Sequence, residues 1–243
     1  MLLTLACLII FLAAIVRGFS GFGFSLLAIT ALSLIYPPAE IIPSIFMLEL
    51  VASANLLPSI WEDIHWRSLA PLSLGCLIAT PIGVWLLAYI SPAPVQVALS
   101  VFVLAATLLM WWGFALKTMP GTIASTAAGA AAGLANGAFG IAGPPVILFY
   151  FASPAGNLAG RASLVAFFLA TDIIGLANLS VYGLITQATT IRAALYLPAL
   201  LAGVWLGARS FKGTDPEKFR KYVLAILAVL AVIIFIKSIL AFF

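Results

Sequence analysis

A chain of 243 residues that is 65% hydrophobic and 7% charged, with a mean hydropathy of +1.25, carries more apolar surface than a water-soluble core absorbs. Its net charge of +4 is small and scattered, which excludes nucleic acid as a partner. The apolar residues come in continuous runs, not short alternating segments, so a β-barrel is excluded and an all-α polytopic membrane protein is predicted.

Ten apolar segments follow in chain order, over residues 2–16, 24–36, 42–60, 68–90, 94–114, 121–136, 144–152, 163–182, 193–209 and 222–242. The first lacks a basic flank and a cleavage site, so it is read as a retained helix. It ends at "RGFSGFGFS", Arg17 to Ser25, where three glycines and two serines interrupt the apolar run. Segments 1, 2, 6 and 7 fall short of the ~20 residues a full span requires. The other six are near full length. Short connections such as "PPAE", "SPAP", "KTMPG" and "KGTDPEKFRK" carry the prolines, glycines and charges. Cys7 and Cys76 lie inside apolar runs and read as free packing thiols.

The two halves resemble each other. "GVWL" at Gly83–Leu86 recurs at Gly203–Leu206, 120 residues later. "ELVASANL", Glu49–Leu56, matches "DIIGLANL", Asp172–Leu179, at an offset of 123, and Gly18 and Gly21 match Gly137 and Gly140 at 119. The expected organisation is two repeats, 1–118 and 119–243, forming one transport unit. Each repeat holds five segments, an odd number, so the second inserts upside down relative to the first. Basic residues agree: Arg17, Arg67, Lys117, Arg161, Arg209, Lys212, Lys218, Arg220 and Lys221 fall in the odd-numbered loops. The even loops hold Arg192 alone, and Lys237 lies in the last segment. The positive-inside rule then places the odd loops in the cytoplasm and both termini outside. Each repeat becomes a short broken hairpin plus three spans, giving eight to ten membrane segments in all. Inverted repeats with interrupted helices meeting near the midplane are a transporter signature.

The chemistry expected at the tips follows from backbone geometry. A helix N-terminus carries free N–H donors and a partial positive charge, which favours an anion. Ser20 and Ser25 are candidate N-caps of the second segment, and Pro144 opens the seventh. The candidate anion-binding set is Arg17, Gly18, Ser20, Gly21, Gly23, Ser25, Asn136, Gly137, Gly140, Gly143 and Pro144. The glycines also fit tight turns and close packing: Ser125, Gly129, Gly133 and Gly137 recur every four residues, a helix-packing face. Arg17 fits an anion ligand, a cap on the first segment, or a side chain reaching for the cytoplasm. Asn136 fits a cap or a substrate hydrogen bond. Glu49 and Asp172 sit near the centres of segments 3 and 8, each followed six residues on by an asparagine, Asn55 or Asn178. A carboxylate at that depth costs ~2.5–3.5 kcal/mol on insertion scales. The two acids and two asparagines fit a proton-coupling or cavity-lining role, or hydrogen bonds between helices. His65 with Glu62 and Asp63 makes a poor metal site, and no metal or cofactor is expected. "GFSG", Gly18–Gly21, has the form of a rhomboid protease motif, but the single histidine lies in a loop, which leaves an intramembrane hydrolase a remote alternative.

With "RGFSGFGFSLLA" near the start and "GAFGIAGPPVILFY" past the midpoint, the whole chain resembles the TauE/SafE sulfite exporter family, also called the toluene sulfonate uptake permeases. The resemblance implies a multi-pass carrier of sulfite, sulfonates and related anions in a prokaryotic inner membrane. It implies substrate contact at Gly18, Gly21, Gly23, Gly137, Gly140 and Gly143. "GIAGPP" departs from a continuous glycine run. The partners expected are a small anionic substrate, the lipid bilayer and, for a coupled importer, protons. An inside-negative potential drives a monovalent anion outward by about 2.3 kcal/mol per 100 mV, so export requires no coupling ion. Export is the favoured direction, with proton-coupled uptake of sulfonates or carboxylates, and an anion channel, as alternatives. Oligomeric state is not readable from the sequence.

Overall fold

A computed structural model describes residues 2–112, 120–152, 157–210 and 216–240. Among these, the secondary structure is helical. The helices are α1 (Leu2–Ser20), α2 (Phe24–Leu32), α3 (Pro38–Ile60), α4 (Trp66–Tyr89), α5 (Pro92–Trp112), α6 (Thr122–Phe139), α7 (Gly143–Ala152), α8 (Asn157–Val181), α9 (Gln187–Ser210) and α10 (Pro216–Leu240). A single 3-10 turn, Trp61–Asp63, bends the chain between α3 and α4. Six helices are long and apolar enough to cross a membrane: α1, α4, α5, α8, α9 and α10. The chain is therefore a multi-pass membrane protein. Its lipid-compatible surface is visible on α10, where Ile226, Val229, Ile233 and Ile236 stay exposed at helical spacing.

The first segment is longer than expected. α1 has 19 residues and runs through Arg17 and Gly18 to Ser20, because nothing before Gly21 forbids helical backbone. At ~1.5 Å per residue it rises about 28 Å, near a full hydrocarbon thickness. Arg17 is therefore not a loop residue, and the charge count that sets orientation loses it.

Small residues let helices touch backbone to backbone. Gly129 and Gly133 of α6 lie against Leu72 and Cys76 of α4, and Gly137 lies against Thr80 and Val84. This is the four-residue repeat seen in the sequence, and it makes α4–α6 the most extensive interface. α1 and α9 meet the same way: Gly203 faces Phe11 and Ala14, Gly207 faces Ile15, and Gly18 faces Val204 and Ala208. In both pairs the residue numbers rise together, so the helices run parallel. α3 packs on α8 and α5 on α10, and exchanging each helix of one half for its counterpart in the other reproduces the main pairings.

These contacts fix where each hairpin opens. One end of the bundle holds Arg67, Arg161, Arg209 and Lys221. At the other end, Arg192 at the start of α9 stacks 4.9 Å from the Tyr36 ring and donates to the Glu40 carbonyl at 2.6 Å. Lys237 donates to the Leu34 carbonyl at 2.6 Å, and Gln96 to that of Ser33 at 2.9 Å. The α1–α2 hairpin thus has its base at the Arg192 end. The α6–α7 hairpin has its base at the basic end, where Tyr150 and Ser68 hydroxyls lie 3.0 Å apart. Aromatic pairs mark both ends, Trp61–Trp66 with ring centroids 4.9 Å apart and Tyr89–Tyr182 at 6.1 Å.

Candidate functional site

The breaks themselves are glycine devices. Gly21 and Gly23 have φ of 82° and 90°, and Gly140 has φ of 69°, a left-handed backbone that costs other L-residues. Gly140 closes α6 with its amide on the Asn136 carbonyl at 2.8 Å, as a left-handed C-cap does. Gly23, not a serine, is the N-cap of α2, and no side chain caps it. Ser20 instead ties the turn, donating to the Val16 carbonyl (2.8 Å) or the Phe22 carbonyl (2.7 Å). The N-cap roles expected of Ser20 and Ser25 are thus absent: the left-handed glycine sets the entry into α2, and Ser25 falls inside the first turn. α7 begins at Gly143, with Pro144 and Pro145 in its first turn, where a missing N–H costs nothing. Fewer amides face outward than expected. Those of Gly140 and Ile141 close α6, leaving Ala142 and Gly143.

The two tips meet. A small cavity of about 20 Å³ is lined by Gly23 and Ser25 from the first hairpin, and by Ile141, Ala142 and Gly143 from the second. Glu49 of α3, Asn136 of α6, and Thr171 and Asp172 of α8 complete its polar wall. In this measure a water takes ~10–15 Å³, so there is room for about one water and none for an oxyanion of several heavy atoms. The tips are closed on each other. A wider surface recess of about 600 Å³, bounded by Leu57, Pro58, Trp61, Glu62 and Asp63, presents two carboxylates and has the wrong charge for an anion.

Arg17 sits just behind this wall, 1% exposed. Its guanidinium pairs with the Glu49 carboxylate and donates to Ser53 Oγ at 2.6 Å. It neither reaches solvent nor merely ends α1. Glu49 and Ser53 lie one turn apart on α3 and grip it together, and its Nε has no partner among the described residues. At the corresponding place in the second half, Asn136 donates to the Thr171 carbonyl at 3.1 Å. Asp172, 2% exposed, has an Oδ2 with no hydrogen-bond partner among the described residues. One half thus holds a cation on its acid, and the other holds an amide beside an acid left open.

Not every expected residue reaches the cavity. Gly18, half-buried, and Gly137, buried, lie against neighbouring helix backbones, and their lost side chains serve packing. Gly21 and Gly140 shape the turns without lining the cavity, and Pro144 is buried behind it. Asn178 donates to the Ile174 carbonyl at 2.8 Å on its own helix. The Asn55 side chain and residues Lys117 and Lys212 lie outside the described residues. His65 is half-buried, not solvated: its amide donates to Ser163 Oγ at 2.9 Å and its ring meets Ser68 Oγ at 2.8 Å. Sequence reading missed Ser53 and Thr171. Ser53 was findable as the i+4 neighbour of Glu49, and Thr171 as the residue adjoining Asp172.

A model of the family described as "Sulfite exporter TauE/SafE" matches residues 6–234, including both breaks and both acids. The chain belongs to that family. The TauE/SafE proteins are membrane transporters, so the hydrolase alternative falls. A curated TauE/SafE relative from Cupriavidus necator, named "Probable sulfite/organosulfonate exporter TauE", is 25% identical over 219 residues, covering 87% of this chain and 84% of that protein. No solved structure matches.

Proposed function

We propose that the protein exports small sulfur oxyanions, sulfite or organosulfonates, by alternating access around the cavity between the two tips. The observation that carries this reading is the meeting of the hairpin tips beside a buried arginine. Two helix N-termini, α2 and α7, converge on one small volume, and among the described residues the buried positive charge beside it is Arg17. In this reading the chain is two inverted repeats, 1–118 and 119–243, with the basic end in the cytoplasm of the inner membrane and both termini outside. Opposite bases of the hairpins and the exchanged helix pairings support that organisation. Separation of the tips enlarges the cavity toward one end at a time, and the oxyanion takes a place on Arg17 that Glu49 holds in the closed state. The membrane potential supplies the driving force for a monovalent anion.

Proteoliposomes preloaded with sulfite test this. An inside-negative potential accelerates efflux, sulfonates compete, and chloride does not. Chloride flux as fast as sulfite flux, at channel rates, overturns the carrier reading.

A second reading, coupled movement of anion and proton, is favoured by one observation: the open Oδ2 of Asp172 inside the cavity wall. Asp172→Asn is expected to fold with unchanged or raised thermal stability, because a neutral amide is easier to bury than a carboxylate lacking a partner. Its sulfite flux loses dependence on an imposed pH gradient if a proton travels with the anion. Flux that follows the gradient equally in both forms removes Asp172 from coupling.

A further inference from the structure

The two tips are covered differently at the places where the repeats correspond. A side chain added at Gly140 would meet Ile29 Cδ1 at 2.5 Å and Ile42 at 3.1 Å, both fully buried, so the second tip is plugged by hydrocarbon. The equivalent position in the first tip, Gly21, is covered by Arg161 of α8, whose Nε lies 2.8 Å and Cγ 3.4 Å from where that side chain would begin. Arg161 is exposed at the basic end and has no ion pair or hydrogen bond among the described residues. Its stem lies flat across the bare glycine, which only a residue without Cβ permits.

Depth is the second observation. The Gly21 amide donates to the Arg17 carbonyl at 2.7 Å, so the position beneath Arg161 is one helical turn from Arg17, about 5.4 Å along α1. An arginine at the mouth without a partner among the described residues is followed, one turn further in, by a buried arginine gripped by Glu49 and Ser53. Among the described residues the second tip has no such series: the counterpart of Arg17 is Asn136, and the groups covering Gly140 are isoleucines.

Resting on the transport reading above, we infer that Arg161 is an outer loading site for the oxyanion on the basic side, from which the anion passes to Arg17 when the tips part. Its guanidinium offers planar, paired donors suited to a sulfonate or sulfite oxygen pair. Because it is solvent-exposed, its contribution is screened by salt. The asymmetry gives the protein a preferred face for capture, independent of the driving force.

The test measures sulfite flux from each face, in everted and right-side-out membrane vesicles, for the unaltered protein, Arg161→Gln and Arg161→Lys. Arg161→Gln is expected to raise KM roughly tenfold for sulfite presented to the basic face, with the opposite-face KM unchanged and the maximal rate from the opposite face lowered in proportion, as the balance of a carrier without a coupling ion requires. Arg161→Lys restores part of that loss, and the salt dependence of the basic-face KM disappears in Arg161→Gln. KM unchanged at both faces overturns the inference. An equal rise at both faces also overturns it, since that is what a merely structural contact with the end of α1 produces. Absence of sulfite flux in the unaltered protein overturns the transport reading, and the loading site falls with it.

Discussion

Arg17→Ala is expected to destabilise the protein by on the order of 3–5 kcal/mol and to abolish transport. The alanine leaves Glu49, 4% exposed, as a buried carboxylate without its cation, and leaves Ser53 without the guanidinium. Most of the cost is that stranded charge, not the worth of the pair itself. The double variant Arg17→Met, Glu49→Leu removes both charges at similar volume and is expected to regain the melting temperature to within a few degrees. It still fails to move sulfite, because the cavity has lost its cation. Thermal unfolding in detergent, run beside flux in proteoliposomes, separates the two effects. A single variant that melts with the unaltered protein would show that water reaches the pair.

Gly133→Val is the second large effect. Its Cβ would sit 2.5 Å from the Cys76 carbonyl oxygen and 2.7 Å from the Cys76 Cα, both backbone atoms of α4. No rotamer relieves this, so the helices must separate along an interface built on small residues. The expected loss is about 3 kcal/mol or more, with flux lost even in the folded fraction. The reason for the lost flux is geometric: Asn136 and Gly140 ride on the last turns of α6, and any outward shift moves the second tip off the first. Gly121→Ala is the matched control, since a side chain there meets nothing within 4 Å at φ −68°. Its melting curve and flux should be indistinguishable from those of the unaltered protein. Equal melting of Gly133→Val and Gly121→Ala would contradict the packing.

Much of this arrangement was legible because its causes are local. Glycines clustered at Gly21–Gly23 and Gly140–Gly143 announce breaks, since a left-handed backbone has few other tenants. The four-residue spacing through Gly129, Gly133 and Gly137 announces a face for close packing. The acids Glu49 and Asp172 stood out because apolar surroundings make them costly. What escaped was pairing across distance. The bond from Arg17 to Glu49 spans 32 residues, and the cover of Gly21 by Arg161 spans 140; no local pattern encodes either. The end of α1 was misjudged for a similar reason. Arg17 and Ser20 read as loop residues by polarity, yet one is held by Glu49 and Ser53 of α3 and the other by its own turn, so the helix continues through both.

The parallel contact of α1 with α9 has a consequence for biogenesis. α1 is made well before α9: the residues that fill its small face, Gly203 and Gly207, lie about 190 residues later, or roughly 10–40 s of synthesis at ~5–20 residues per second. Until then the face of α1 at Phe11, Ala14, Ile15 and Gly18 lacks α9, and the hairpin lacks the Arg192 and Lys237 contacts that pin its base. Insertion of the α1–α2 hairpin therefore precedes its consolidation, which waits for α9 and α10.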